Sequence, residues 1–139
     1  MTESTAQNSP SPFGEVSAAV WDNLSADDDW RRRCRKRLKK LGLNQYDLAN
    51  YLRKAEGETP GKRGRGSQSG VSQALSLKNP QDSSRYVHAI SLALGEDLPL
   101  RARLELAVRE LERAGRTATI LKYVDLLEDA AEREREKPS

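Results

Sequence analysis

The sequence holds one cysteine, one histidine, one phenylalanine and one methionine in 139 residues. A lone Cys34 excludes an internal disulfide. His88, with no second histidine or nearby cysteine, leaves no ligand set of the usual metal-site spacing. Aromatic residues supply 5% of the chain and hydrophobic residues 36%. A core spanning the full length is therefore not expected, and a smaller helical core with polar tails is. No run of 18 apolar residues occurs, which excludes a helix that spans a membrane. The start, MTESTAQNSPSPFGE, lacks the basic-then-apolar order of a signal peptide, so a cytoplasmic protein is expected. No segment of strand period is long enough to precede a phosphate-cradling glycine loop. An enzyme is not expected, and neither is a cofactor or a metal.

Charge is plentiful and unevenly placed. Residues 1–29 carry six acids and no base, whereas residues 30–78 carry 14 bases against three acids. Residues 79–139 carry ten bases and 12 acids. The middle block, at +11, is the electrostatic footprint of a polyanion-binding surface, although a merely soluble basic helix would use the same residues.

Residues 1–26, rich in Ser, Thr, Ala, Asn and Pro, read as a disordered acidic arm. Within it Val16, Val20 and Leu24 recur at helical spacing beside Trp21. That short apolar face would serve a protein partner or lie as a flap on the chain's own core. A first helix opens at Asp27–Asp29, which supply an N-cap and negative charge at its start. It carries Trp30, Cys34, Leu38 and Leu41 on one face and ends at Gly42. Cys34, on that stripe, reads as a small core residue. Asn44 caps a second helix with Asp47 in a capping-box position, and Leu48, Ala49 and Leu52 form its buried face. This helix fades near Ala55.

Residues 56–67, EGETPGKRGRGS, form a basic glycine-rich insertion. A third helix starts near Ser67, with Val71, Ala74 and Leu75 inward and Gln68, Ser69, Ser72 and Gln73 outward. Asn79–Pro80 stops it. Asp82 or Ser83 caps a fourth helix bearing Tyr86, Val87, Ile90, Ala93 and Leu94, closed by Gly95. His88 lies on it as a structural residue. Pro99 fits the first turn of a fifth helix, which ends before Gly115, and Thr117 caps a sixth. The chain reads as all-α: residues 1–26 an arm, 27–96 a small helical domain, 97–139 a helical hairpin. The hairpin carries more apolar surface than the small bundle can cover. Leu104, Val108, Leu111, Ile120, Val124 and Leu127 are therefore expected to form a homodimer seam, the alternative being a fold-back onto the monomer core.

The strings LNQYDLANYL, SQSGVSQAL, NP and SRYVHAISLALG resemble the helix-turn-helix domain of λ-repressor-like (XRE-type) regulators, over about residues 30–95. Gln45, Leu48–Ala49 and Ser67–Ser72 fall at the family's motif positions, and Gln68-Ser69-Gly70-Val71 is similar to its recognition helix. The resemblance implies double-stranded DNA as partner, with Gln45 on a phosphate and bracing Gln68. It places Ser67, Gln68, Ser69, Ser72 and Gln73 on a helix in the major groove, followed by Lys78. Glutamine can pair in bidentate fashion with adenine, and serine can donate or accept at either base edge. The chain departs from the family between the paired helices, where Arg53 to Gly66 replace a turn of about four residues. Within that insertion Lys62, Arg63 and Arg65 resemble the Arg-Gly-Arg core of an AT-hook, which enters a minor groove; Gly66 stands where a proline usually follows. Such a loop would touch the minor groove or the backbone. The expectation is a sequence-specific DNA-binding protein, a transcriptional regulator of bacterial or phage type. The alternative is an oligomeric assembly factor, for example of DNA-packaging type, with only weak DNA binding.

Overall fold

A computed structural model describes residues 12–57 and 67–137. Among them lie six helices and one short strand pair: β1 (Leu24–Ser25), α1 (Asp28–Leu41), α2 (Gln45–Gly57), α3 (Ser67–Ala74), β2 (Ser83–Ser84), α4 (Val87–Leu94), α5 (Leu100–Arg113) and α6 (Thr117–Glu136). The all-α expectation holds. The helix ends follow local chemistry. Asp27 caps α1 by accepting from the Trp30 amide at 2.8 Å, and Gly42 ends it with φ of 74°, a left-handed conformation that glycine adopts without steric cost. Asn44 and Asp47 form the reciprocal capping box, each side chain accepting from the other's amide at 2.8 and 3.0 Å. α2 runs to Gly57, past the expected end at Ala55.

The core is built from one stripe of each helix. Trp30, Cys34 and Leu38 of α1, Leu48, Ala49 and Leu52 of α2, and Val71, Ala74 and Leu75 at α3 are all buried. Val87, Ala89, Ile90, Ala93 and Leu94 of α4 complete it. Each large apolar side chain so buried contributes about 1.5–3 kcal/mol. The one indole proton inside this core is satisfied: Trp30 Nε1 donates to Ser91 Oγ at 2.8 Å, and Ser91 in turn donates to the Val87 carbonyl at 2.9 Å. Burial pushes the Cys34 thiol well above its ordinary range, which makes it an inert core group.

Two expectations need correction. The acidic arm is not disordered throughout: residues 12–26 form a strap on the helical core, while residues 1–11 lie outside the described residues. Phe13, Val16 and Leu24 are buried. The Gly14 amide donates to the Ala93 carbonyl at 2.7 Å, and Tyr51 Oη donates to the Gly14 carbonyl at 2.6 Å. The Val20 amide donates to His88 Nδ1 at 2.7 Å. The short apolar face therefore serves the chain's own core as a flap, without becoming a helix. The fourth helix starts later than expected, at Val87, because Ser83 and Ser84 are taken by an antiparallel pairing with Ser25 and Leu24. A strand partner distant in sequence overrides the local capping signal at Asp82–Ser83.

The chain divides into two units, Met1–Ala102 and Arg103–Ser139. In the second, Gly115 adopts φ of 74° and the Arg116 amide reaches the Leu111 carbonyl at 2.7 Å, a Schellman ending that separates α5 from α6. Val108, Leu111 and Ile120 are half-buried, but α6 has no buried residue at all. From Leu121 to Lys137 every residue is exposed. The two helices do not close over each other's apolar stripes: Leu104 is 46% exposed, Val124 39% and Leu127 56%.

Candidate nucleic-acid interface

α3 presents two chemically opposite sides. Val71 and Ala74 face inward and are fully covered, whereas Ser69, Ser72 and Gln73 are exposed. The 3.6-residue period puts these three on the outer side of a helix whose inner side rests on Leu48, Ala49 and Leu52. Ser67 and Gln68 belong to the first turn of α3 by backbone, and their side chains lie outside the described residues. Lys78 follows α3 and is exposed. Lys62, Arg63 and Arg65 lie outside the described residues, so the likeness to an AT-hook and its groove contacts are expectations only.

Gly70 makes the close seat of α3 possible. A side-chain carbon there would meet the Tyr86 ring, whose Cδ2 lies 2.8 Å from that point. Tyr86 is itself buried, its hydroxyl accepting from Arg85 at 3.0 Å and its ring meeting Trp21 edge-on at 5.9 Å. Beside this contact a cleft of about 220 Å³ is lined by Gln73 together with Asn23, Gln81, Ser83, Ser84 and Arg85. Gln45, half-buried at the start of α2, lines a different groove with Arg35, Lys39, Asn44 and exposed Tyr46. Gln45 and Gln73 thus sit at separate openings. The brace from Gln45 to Gln68 ends on a side chain outside the described residues.

The +11 block does not translate directly into free positive surface. Arg31 is buried and bonded to the backbone at the end of α3 and beyond it. Arg33 pairs with Asp29 at 2.9 Å and Glu96 at 3.1 Å. The Asp29 hydrogen bond, more than Glu96, raises its pKa, with burial opposing. Arg35 is exposed but spends one N–H on the Leu75 carbonyl at 3.0 Å. The exposed cations in this block include Arg32, Lys36, Lys39 and Lys40 of α1 and Arg53 and Lys54 of α2. Periodicity had no means to separate Arg31 from its neighbours, since a buried arginine needs acceptors that lie about 40 to 50 positions away. Tyr46, Asn23 and Arg85 were also missed; only Tyr46 carried a signal, as an aromatic beside Gln45.

Among the described residues no three His, Cys, Asp or Glu side chains gather where an ion could sit. His88 is half-buried, its Nδ1 already accepting from Val20, and burial lowers its pKa. No described helix is long and apolar enough to cross a membrane. Comparisons with models of known families, with curated proteins and with solved structures find no match to this chain.

Proposed function

We propose that this chain is a non-enzymatic, sequence-specific double-stranded-DNA-binding protein of helix-turn-helix type, acting as a transcriptional regulator of bacterial or phage kind. The observation that carries the reading is the row Ser69, Ser72 and Gln73, exposed on a helix whose other side is seated on α2. Small polar side chains projecting from a firmly packed helix are what base-edge reading in a major groove requires. Gln68 and Ser67 at the helix start extend the same row in sequence. Gln45, Lys78 and the cations Lys62, Arg63 and Arg65 supply phosphate or minor-groove contacts, which position the protein without selecting sequence. The protein works in the cytoplasm, on the nucleoid, as a homodimer joined through Leu104, Val108, Leu111, Ile120, Val124 and Leu127.

Selection from random duplexes at about 150 mM salt, where non-specific binding is weak, tests this reading. An enriched palindrome is the expected result. Gln73→Ala should relax preference at one base position while leaving binding to unrelated DNA unchanged. No enrichment, or an equal loss on every sequence, would overturn it.

A second reading has one observation in its favour. Leu100, Leu104, Leu121, Tyr123, Val124, Leu126 and Leu127 are all exposed large apolar residues of α5 and α6. Such a surface suits an oligomeric assembly factor, in which DNA binding is weak and the second unit closes a ring. Light scattering separates a dimer from a larger ring.

A further inference from the structure

α3 is poorly equipped to hold its own shape. It is eight residues long, and SQSGVSQA contains one glycine and three serines, each a weaker helix former than alanine. Isolated helices of this length are not stable in water. Its last carbonyls carry the negative end of the helix dipole, and its last turn contains no basic residue to meet them. The cations come instead from α1. Arg31 Nε donates to the Ala74 carbonyl at 3.0 Å, one Nη donates to Asp28 Oδ1 at 2.9 Å, and the other Nη donates to the Gln81 carbonyl. Arg35 Nη1 donates to the Leu75 carbonyl at 3.0 Å. Arg31 is 3% exposed, with all three of its nitrogens engaged by the protein.

We propose that Arg31, held by Asp28 and assisted by Arg35, is the positioning residue of α3: it terminates the helix and fixes the pose of Ser69, Ser72 and Gln73, and it is not a phosphate contact. The argument is geometric. The planar guanidinium reaches the end of α3 at Ala74 and the loop beyond it at Gln81 at the same time, so it sets both the axis of the helix and the path of the segment carrying Lys78. A lysine ammonium carries its three donors on one atom and so cannot span acceptors that here are met by three separate nitrogens. The functional part of the inference rests on the reading of α3 as a base-reading helix; the structural part stands on the free protein.

Three variants test it: Arg31→Gln, Arg31→Lys, and Arg32→Gln as the exposed neighbour on the same helix. Amide exchange is followed in the free protein, and affinity is measured on the duplex selected by the wild type and on a single-base variant of it. In Arg31→Gln the amides of Val71 to Leu75 should exchange about tenfold faster or more, while those of Leu48 to Leu52 keep their protection. Discrimination between the two duplexes should fall at least about fivefold with the salt slope unchanged. Arg31→Lys should show the same loss despite keeping its charge. Arg32→Gln should do the reverse, flattening the salt slope by about 0.9 and leaving discrimination alone. Unchanged α3 exchange in both Arg31 variants would overturn the proposal. So would a flatter salt slope with discrimination intact, the mark of a phosphate contact. Should Arg31→Gln fail to fold, Arg31→Lys and Arg35→Gln carry the same readouts. A wild type without sequence preference overturns the DNA reading, and the exchange data then decide the positioning role alone.

Discussion

The ring of Tyr86 fills the space that a side chain at Gly70 would need. Gly70 lies in the middle of α3, where alanine would ordinarily stabilise the helix by up to about 1 kcal/mol. The ring cannot yield easily, because Trp21 packs against it and Arg85 holds its hydroxyl. Overpacking costs about 1–3 kcal/mol, so the clash outweighs the gain in propensity. Gly70→Ala should therefore lower stability in denaturant unfolding, and Gly70→Ala with Tyr86→Leu should cost less than the two changes summed. Additive losses would show that the two residues do not meet.

Deletion of residues 1–11 leaves every described residue of the strap in place. Deletion of residues 1–26 removes the burial of Phe13, Val16 and Leu24, on the order of 5 kcal/mol in sum. Thermal unfolding of the two truncations compares them directly. Equal midpoints would mean that the strap contributes nothing.

His88 should make the fold acid-sensitive. Its Nδ1 must be unprotonated to accept from the Val20 amide, and burial lowers its pKa below the ordinary 6.5. The unfolded chain then binds a proton more readily than the folded one. The contribution of the neutral imidazole is fully present above about pH 6.5 and is lost as pH falls below it toward the lowered folded value. The melting temperature of the wild type should drop between pH 7 and pH 5 more steeply than that of His88→Gln. Parallel curves would count against this role.

The exposed stripe of α6 should self-associate. Leu127→Asp, at a residue 56% exposed in the single chain, should lower the mass measured by light scattering without lowering helix content. A wild type that is monomeric at high concentration would remove the seam altogether.

Much of the helical frame was legible because its signals are local. Asp27, Asn44, Gly42 and Gly95 mark ends by chemistry within a few residues of themselves, and the stripes Trp30–Cys34–Leu38 and Leu48–Ala49–Leu52 repeat at the helix period. The larger misreadings share one cause, a partner far along the chain. The strap has helical apolar spacing without a helix, since its order comes from Ala93, Tyr51 and His88. Ser83–Ser84 looked like a helix cap because Leu24 and Ser25 were not in view. Arg31 looked like its exposed neighbours in a basic run. At the candidate interface, the outward residues of α3 were readable from period alone. The cleft joining Gln73 to Asn23 and Arg85 was not, because it is assembled from three separate segments.

The strap also bears on the order of events in folding. Val20 and His88 are 68 positions apart, and the pairing of Leu24 with Ser84 closes a loop of similar length. Loop closure of that length has to be met before any contact repays it. α1 meets α4 across a similar gap, 61 positions from Trp30 to Ser91, whereas Gly14 of the strap reaches Tyr51 of α2 across 37. Refolding rates should be nearly the same with and without residues 1–26, while unfolding should be much faster without them. That outcome would mark the strap as a latch that docks after the folding nucleus has formed.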